Sequence, residues 1–177
     1  MKKIIYTFLA LLICVSPALA DKAKIKLGPA KIVAKDAIAA SSQGAFINLT
    51  MGGSKGKSSG TLTILFPSDF NPSKGDSFNV FSLVGEESAN NPGELAVSFT
   101  ATKIKAKGLS VSSTSYAEAA ETVTTGTLKV KSYDTETGVL KFNLKATATP
   151  FTINKGDGND TSSKKFKIKA QGVVTLK

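Results

Sequence analysis

The sequence predicts an all-β protein, a single-domain antiparallel β-sandwich or small barrel of about nine to ten strands. Two observations carry that prediction. Apolar and polar residues alternate with period two in segment after segment, the pattern of strands with one face in a core and one in water. Between these segments stand clusters of Gly, Pro, Asn and Ser, which punctuate a chain into strands and turns. The composition agrees: 41% hydrophobic and 20% charged residues in a chain of 177 is a globular balance of one-domain size.

The first twenty residues read as an address rather than as structure. Lys2 and Lys3 form a short positive region, Ile4 to Val15 is almost unbroken apolar sequence, Pro17 interrupts it, and Ala18-Leu19-Ala20 offers small residues where a signal peptidase reads. This is the form of a bacterial secretory signal peptide cleaved after Ala20. The apolar run is shorter than the ~20 residues needed to cross a bilayer. A lipoprotein site at Cys14 is disfavoured by Ile13, where a small residue is needed. The expected organisation is therefore a signal peptide at 1–20 and one β domain at 21–177, secreted or periplasmic, with no transmembrane segment after cleavage. Cleavage also removes the only cysteine, so stability must come from packing alone.

The expected strands follow in order. Ala23, Ile25 and Leu27 alternate with Lys22, Lys24 and Lys26; Ala45, Ile47, Leu49 and Met51 come next. Met51 to Gly60, rich in Gly and Ser, reads as a flexible loop before Leu62, Ile64 and Phe66. Turn residues at Asn71-Pro72 and Asn90-Asn91-Pro92-Gly93 bracket Phe78 and Val80 and precede Leu95, Val97, Phe99 and Ala101. Near Thr102-Lys103 the apolar phase slips from odd to even positions, which suggests a β-bulge or a strand crossing between sheets. Ser115-Tyr116-Ala117-Glu118 has capping-box form, so at most one short helix is expected near 116–121. Leu128 and Val130 then share a face with Leu140, Phe142 and Leu144 if the intervening loop has three or five residues, and Gly138 suits a left-handed closing position. Thr149 to Lys164 reads as a long excursion before Phe166, Ile168, Ala170, Val174 and Leu176.

What is missing narrows the chemistry. The chain has no His and no Trp, and all 23 basic residues are lysine. That excludes zinc sites built on His or Cys, His-assisted nucleophiles, a disulfide framework and arginine forks. Gly56-Lys57-Ser58 lacks the upstream glycine of a phosphate-binding loop, because Met51 stands there, and a strand rather than a helix follows. Ser54-x-x-Lys57 and Ser162-x-x-Lys165 occur as often as chance allows in a chain this rich in both residues. The acid pairs Glu86/Glu87, Glu118/Glu121 and Asp134/Glu136 lie in expected turns or the short helix, without aromatic platforms for a sugar. Asp157-Gly158-Asn159-Asp160 resembles part of a calcium loop, but no acid follows to complete it. No catalytic residue, metal ligand or cofactor is expected, and the protein is read as not an enzyme.

The lysines remain. Lys22, Lys24 and Lys26, then Lys103, Lys105 and Lys107, then Lys129 and Lys131, then Lys141 and Lys145, and last Lys165, Lys167 and Lys169 all repeat on the polar phase of strands. Lys103, Lys105, Lys107, Lys129, Lys131, Lys165, Lys167 and Lys169 are the candidate binding residues for a polyanion face. The bland alternative is a solvated surface, since lysine is a common exposed strand residue that also discourages edge-to-edge aggregation. No aromatic interleaves these lysines, so nucleic acid would be held only by its backbone and without specificity. The leading expectation is a non-catalytic protein that binds a cell-envelope component or a protein partner, with an anionic envelope polymer or lipid surface as the partner of the lysines. The alternatives are a lipocalin-like carrier of an apolar ligand in a small barrel and a surface-assembly subunit using free sheet edges. Oligomeric state is left open.

Overall fold

A computed structural model describes residues 21–34, 38–82, 93–156 and 158–176. The expected signal peptide, Glu86, Glu87, Asn90-Asn91-Pro92 and Asp157 lie outside the described residues. Within them the chain is all-β, with eleven strands in one sheet and no helix. The strands are β1 Lys22–Leu27, β2 Ala30–Ala34, β3 Ile38–Gln43, β4 Phe46–Lys55, β5 Ser58–Pro67, β6 Ser77–Ser82, β7 Glu94–Lys107, β8 Ser110–Tyr133, β9 Val139–Asn154, β10 Asn159–Ser162 and β11 Phe166–Thr175.

The pairing returns to its start. β9 pairs β11, β11 pairs β1, β1 pairs β2, and β2 pairs β4 at Val33↔Ser54. From there β4 pairs β5, β5 pairs β7, β7 pairs β8, and β8 pairs β9. The result is a small barrel-like closed sheet, which removes most free edges. β6 is wedged between β7 and β8, parallel to the first and antiparallel to the second. All other pairings among the described residues are antiparallel.

Alternation does what it promised. Ala23, Ile25 and Leu27 of β1, Ala30 and Ile32 of β2, Leu140, Phe142 and Leu144 of β9, and Phe166, Ile168 and Ala170 of β11 are all buried in one core. Phe99 and Phe166 stack across the interior with ring centroids 4.6 Å apart, and Phe151 and Tyr116 extend the ring cluster. The β8–β9 hairpin sets Leu128 opposite Leu144 and Val130 opposite Phe142, as the face argument requires. A bulge follows between Val130 and Ser132, and the loop closes with Gly138 at φ 72°.

Four local readings need correction. Met51 to Gly60 is not a loop: it belongs to the paired ends of β4 and β5, and only Gly56 and Lys57 turn. Its glycines serve close approach. Gly53 lies opposite Gly60, where a Cβ on the first would strike the Val33 backbone and on the second the Thr100 backbone. Residues 116–121 are strand, not helix. Tyr116 and Glu118 pair with Ile153 and Phe151, and the apparent capping box marks a wide bulge between Glu118 and Val123. Thr122 pins that bulge, accepting from Ala119 N–H at 2.6 Å and donating to the Pro150 carbonyl at 2.8 Å. Thr149 to Lys164 is mostly ladder, the end of β9 folding back on β10. Finally, β7 carries no bulge at Thr102: its registers with β5 and β8 run unbroken through the phase slip.

Candidate functional site

Five consecutive strands, β8, β9, β11, β1 and β2, build one outer wall. Each turns its apolar residues inward, so the intervening positions must face out. Those positions hold ten exposed lysines: Lys129 and Lys131 on β8, Lys141 and Lys145 on β9, Lys167 and Lys169 on β11, Lys22, Lys24 and Lys26 on β1, and Lys31 on β2. The other outward positions carry Thr, Asn, Gln and Val, and from Val123 of β8 onward none of them carries a carboxylate.

Register aligns these side chains in rows across the wall. Lys145 stands opposite Lys169, Lys169 opposite Lys26, and Lys26 opposite Lys31. Four lysines on four neighbouring strands thus form one line, with successive residues about 5 Å apart. The next row reads Lys129, Asn143, Gln171, Lys24 and Val33. Like charges directly opposite each other destabilise a sheet. The salt bridge between Lys155 and Asp160, at 3.1 Å, lies elsewhere.

The wall is not flat. Lys24, Lys26, Lys31, Lys55, Lys145 and Lys169 surround a concavity of about 370 Å³ into which Asn143 and Gln171 also reach. A second, of about 420 Å³, adjoins it and shares Lys24, Asn143 and Gln171, with Lys22, Lys131 and Lys141 on its far side. Ammonium groups on flexible stems around a hollow can converge on an anionic group, with the amides supplying hydrogen bonds.

The eight lysines singled out in the sequence are divided by the fold. Lys129, Lys131, Lys167 and Lys169 share the wall. Lys165 is exposed just before β11 begins. Lys103, Lys105 and Lys107 lie apart, on a β7–β8 hairpin remote in strand order from β11 and β1. Conversely, Lys22, Lys24, Lys26, Lys141 and Lys145 complete the rows and show the same period-two signal. Lys31 and Lys55 have no such signal: Lys31 is the single lysine in its strand's outward phase, and Lys55, at the exposed end of β4, falls on the phase of the buried Leu49 and Met51.

One acid draws notice. Glu118 sits at the fork where β6 separates β7 from β8, and Ser82 Oγ donates to its Oε1 at 2.6 Å. Burial pushes its carboxyl pKa up, partly offset by hydrogen bonds from Ser82 and the Phe99 N–H. It borders a concavity of about 310 Å³ lined, among the described residues, by Thr61, Thr63, Ser98 and Thr100. The Glu118 carboxylate caps the backbone amide of Phe99. Of the other acids, Asp134 caps its own turn, accepting from Glu136 N–H and Thr137 N–H, and Asp160 meets Lys155 at 3.1 Å.

Comparison with known protein families, with curated proteins and with solved structures finds no match to this chain.

Proposed function

We propose that this is a non-catalytic secreted or periplasmic protein that binds an anionic component of the cell envelope through the wall formed by β8, β9, β11, β1 and β2. The observation that carries the reading is the row Lys145, Lys169, Lys26 and Lys31, four like charges held side by side with no carboxylate among their outward neighbours. Such a row repels itself, and a bound anion would relieve it. The adjoining hollow, about 370 Å³, is in the size range of small-ligand sites and places amides beside the ammonium groups. Lysines bind phosphate as point charges rather than forks, which suits a repeating or mobile polyanion more than one rigid ligand. A carrier of apolar ligands inside the barrel receives less support, because the interior is occupied by rings such as the stacked pair Phe99 and Phe166.

The test is chromatographic. Replacing Lys26, Lys31, Lys145 and Lys169 together by Gln should abolish salt-dependent retention on immobilised heparin and lipopolysaccharide. A charge-matched control at Lys57, Lys74, Lys155 and Lys164 should retain nearly all of it. Equal losses in the two variants would mean that only net charge matters, and the site would be abandoned. The compartment is tested separately: intact mass of the exported protein should equal the chain beginning at Asp21.

A further inference from the structure

The end of β7 and the start of β8 stand beyond the barrel wall. Lys103 is the last β7 residue paired with β5, opposite Ser58, and Ser115 is the first β8 residue paired with β9, opposite Asn154. Past that line, among the described residues, the two strands pair only with each other, from Lys103↔Thr114 to Lys107↔Ser110, and Gly108 at φ 60° turns the tip with Leu109. The base is tied down by the Ile104 N–H donating to the Lys57 carbonyl at 2.8 Å. Four residue steps of about 3.3 Å carry the tip roughly 13 Å outward.

The alternation continues along this hairpin, but inverted. Leu95, Val97, Phe99 and Ala101 face the core. Because the register is unbroken, Lys103, Lys105 and Lys107 occupy the continuation of that inner face. Ile104 and Ala106 occupy the continuation of the outer face, where Val111 joins them opposite Ala106. Ile104 is 41% exposed, Val111 72% and Leu109 105%; with Val123 they are the exposed large hydrophobics among the described residues. The phase slip in the sequence is thus an exchange of faces: beyond the core, the apolar side points away from the molecule.

We propose that this hairpin inserts its tip into the headgroup–acyl boundary of an anionic lipid bilayer. Aliphatic side chains on one side and at the tip, backed by three lysines on the other, match an interfacial anchor that buries about 5–10 Å while ammonium groups reach the headgroups. The lysines argue for lipid over a second copy of the chain, since pairing two hairpins would bring six like charges together. The hairpin is a different surface from the lysine wall, so the two proposals hold or fail separately.

The chain contains no Trp, so Leu109→Trp supplies a single reporter at the tip. With vesicles of equal parts phosphatidylcholine and phosphatidylglycerol its emission should shift to the blue and be quenched by lipids brominated high on the acyl chain. Pure phosphatidylcholine vesicles should give a much smaller change. The triple variant Ile104→Ser, Leu109→Ser, Val111→Ser, all at exposed sites, should lose vesicle binding by about tenfold or more while keeping the wild-type melt and heparin retention. Water-like tryptophan emission on the anionic vesicles would overturn the proposal. So would unchanged vesicle binding by the triple variant, or a blue shift without lipid that follows a monomer–dimer equilibrium.

Discussion

Ser82 Oγ and Glu118 Oε1 meet at 2.6 Å at the point where β7 exchanges β6 for β8 as its neighbour. A fork in a sheet leaves backbone amides without a ladder partner, and the Glu118 carboxyl accepts from one of them, the Phe99 N–H. Burial raises its pKa above the ordinary 4.5. The folded state therefore holds the Glu118 proton more tightly than the unfolded chain does. The stability that follows is complete below the unfolded value and is lost as pH rises through the folded one. Glu118→Gln keeps an acceptor for both donors without the charge. Urea melts of the two proteins should coincide near pH 4 and diverge toward pH 7, the variant being the more stable there. A wild type that gains on the variant with rising pH would show that the carboxylate is favoured by its surroundings.

Gly138 closes the loop between β8 and β9 at φ 72°, donating to the Asp134 carbonyl at 2.8 Å and accepting from Leu176 N–H at 3.0 Å. A β-branched residue resists that backbone conformation. Gly138→Val should cost about 1 kcal/mol or more in a urea melt. A neutral result would mean that the loop relaxes to another closure.

Much of this fold was legible because burial follows local parity. β1, β9 and β11 alternate in sequence as they do in burial, and Lys129, Lys167 and Lys169 could be assigned to an outer face from their neighbours alone. Strand order was not legible. Lys26 lies between Lys169 and Lys31 because β1 pairs with β11 at the far end of the chain, and period two carries no information about which strand is next door. The lysines of β7 show the complementary failure: alternation says that Lys103 and Ile104 face opposite ways, but not where the core ends. Composition misled where glycine and capping residues serve the sheet itself, in Gly53 against Val33 and in the bulge after Glu118.

Thr122 and Thr124 are both buried, two residues apart, and should respond oppositely to the same change. The Thr122 hydroxyl makes two hydrogen bonds, whereas Thr124 Oγ1 has no partner among the described residues. Removing a satisfied hydroxyl strands its partners, while removing an unsatisfied one ends a desolvation cost. Thr122→Val should destabilise by about 1–3 kcal/mol, and Thr124→Val should be neutral or stabilise by up to about 1 kcal/mol. Equal losses in thermal melts would imply a buried water on Thr124.

The lysine row makes a prediction about the unliganded protein. Residues about 5 Å apart can hold their charges well within the screening length of roughly 10 Å at 0.1 M salt. Salt therefore weakens the mutual repulsion of Lys145, Lys169, Lys26 and Lys31. The melting temperature should rise between low and moderate sodium chloride, before any general salting-out effect sets in. Lys169→Thr removes two of the three contacts in the row while keeping a residue suited to an exposed strand. It should raise the melting temperature at low salt and flatten its salt dependence, whereas Lys74→Thr, in the turn before β6, should do neither. A wild type whose stability ignores salt would show that the long side chains splay apart far enough to escape one another. The row would then carry no repulsion for a bound anion to relieve, and the electrostatic argument for the wall as a binding surface would lose its main support.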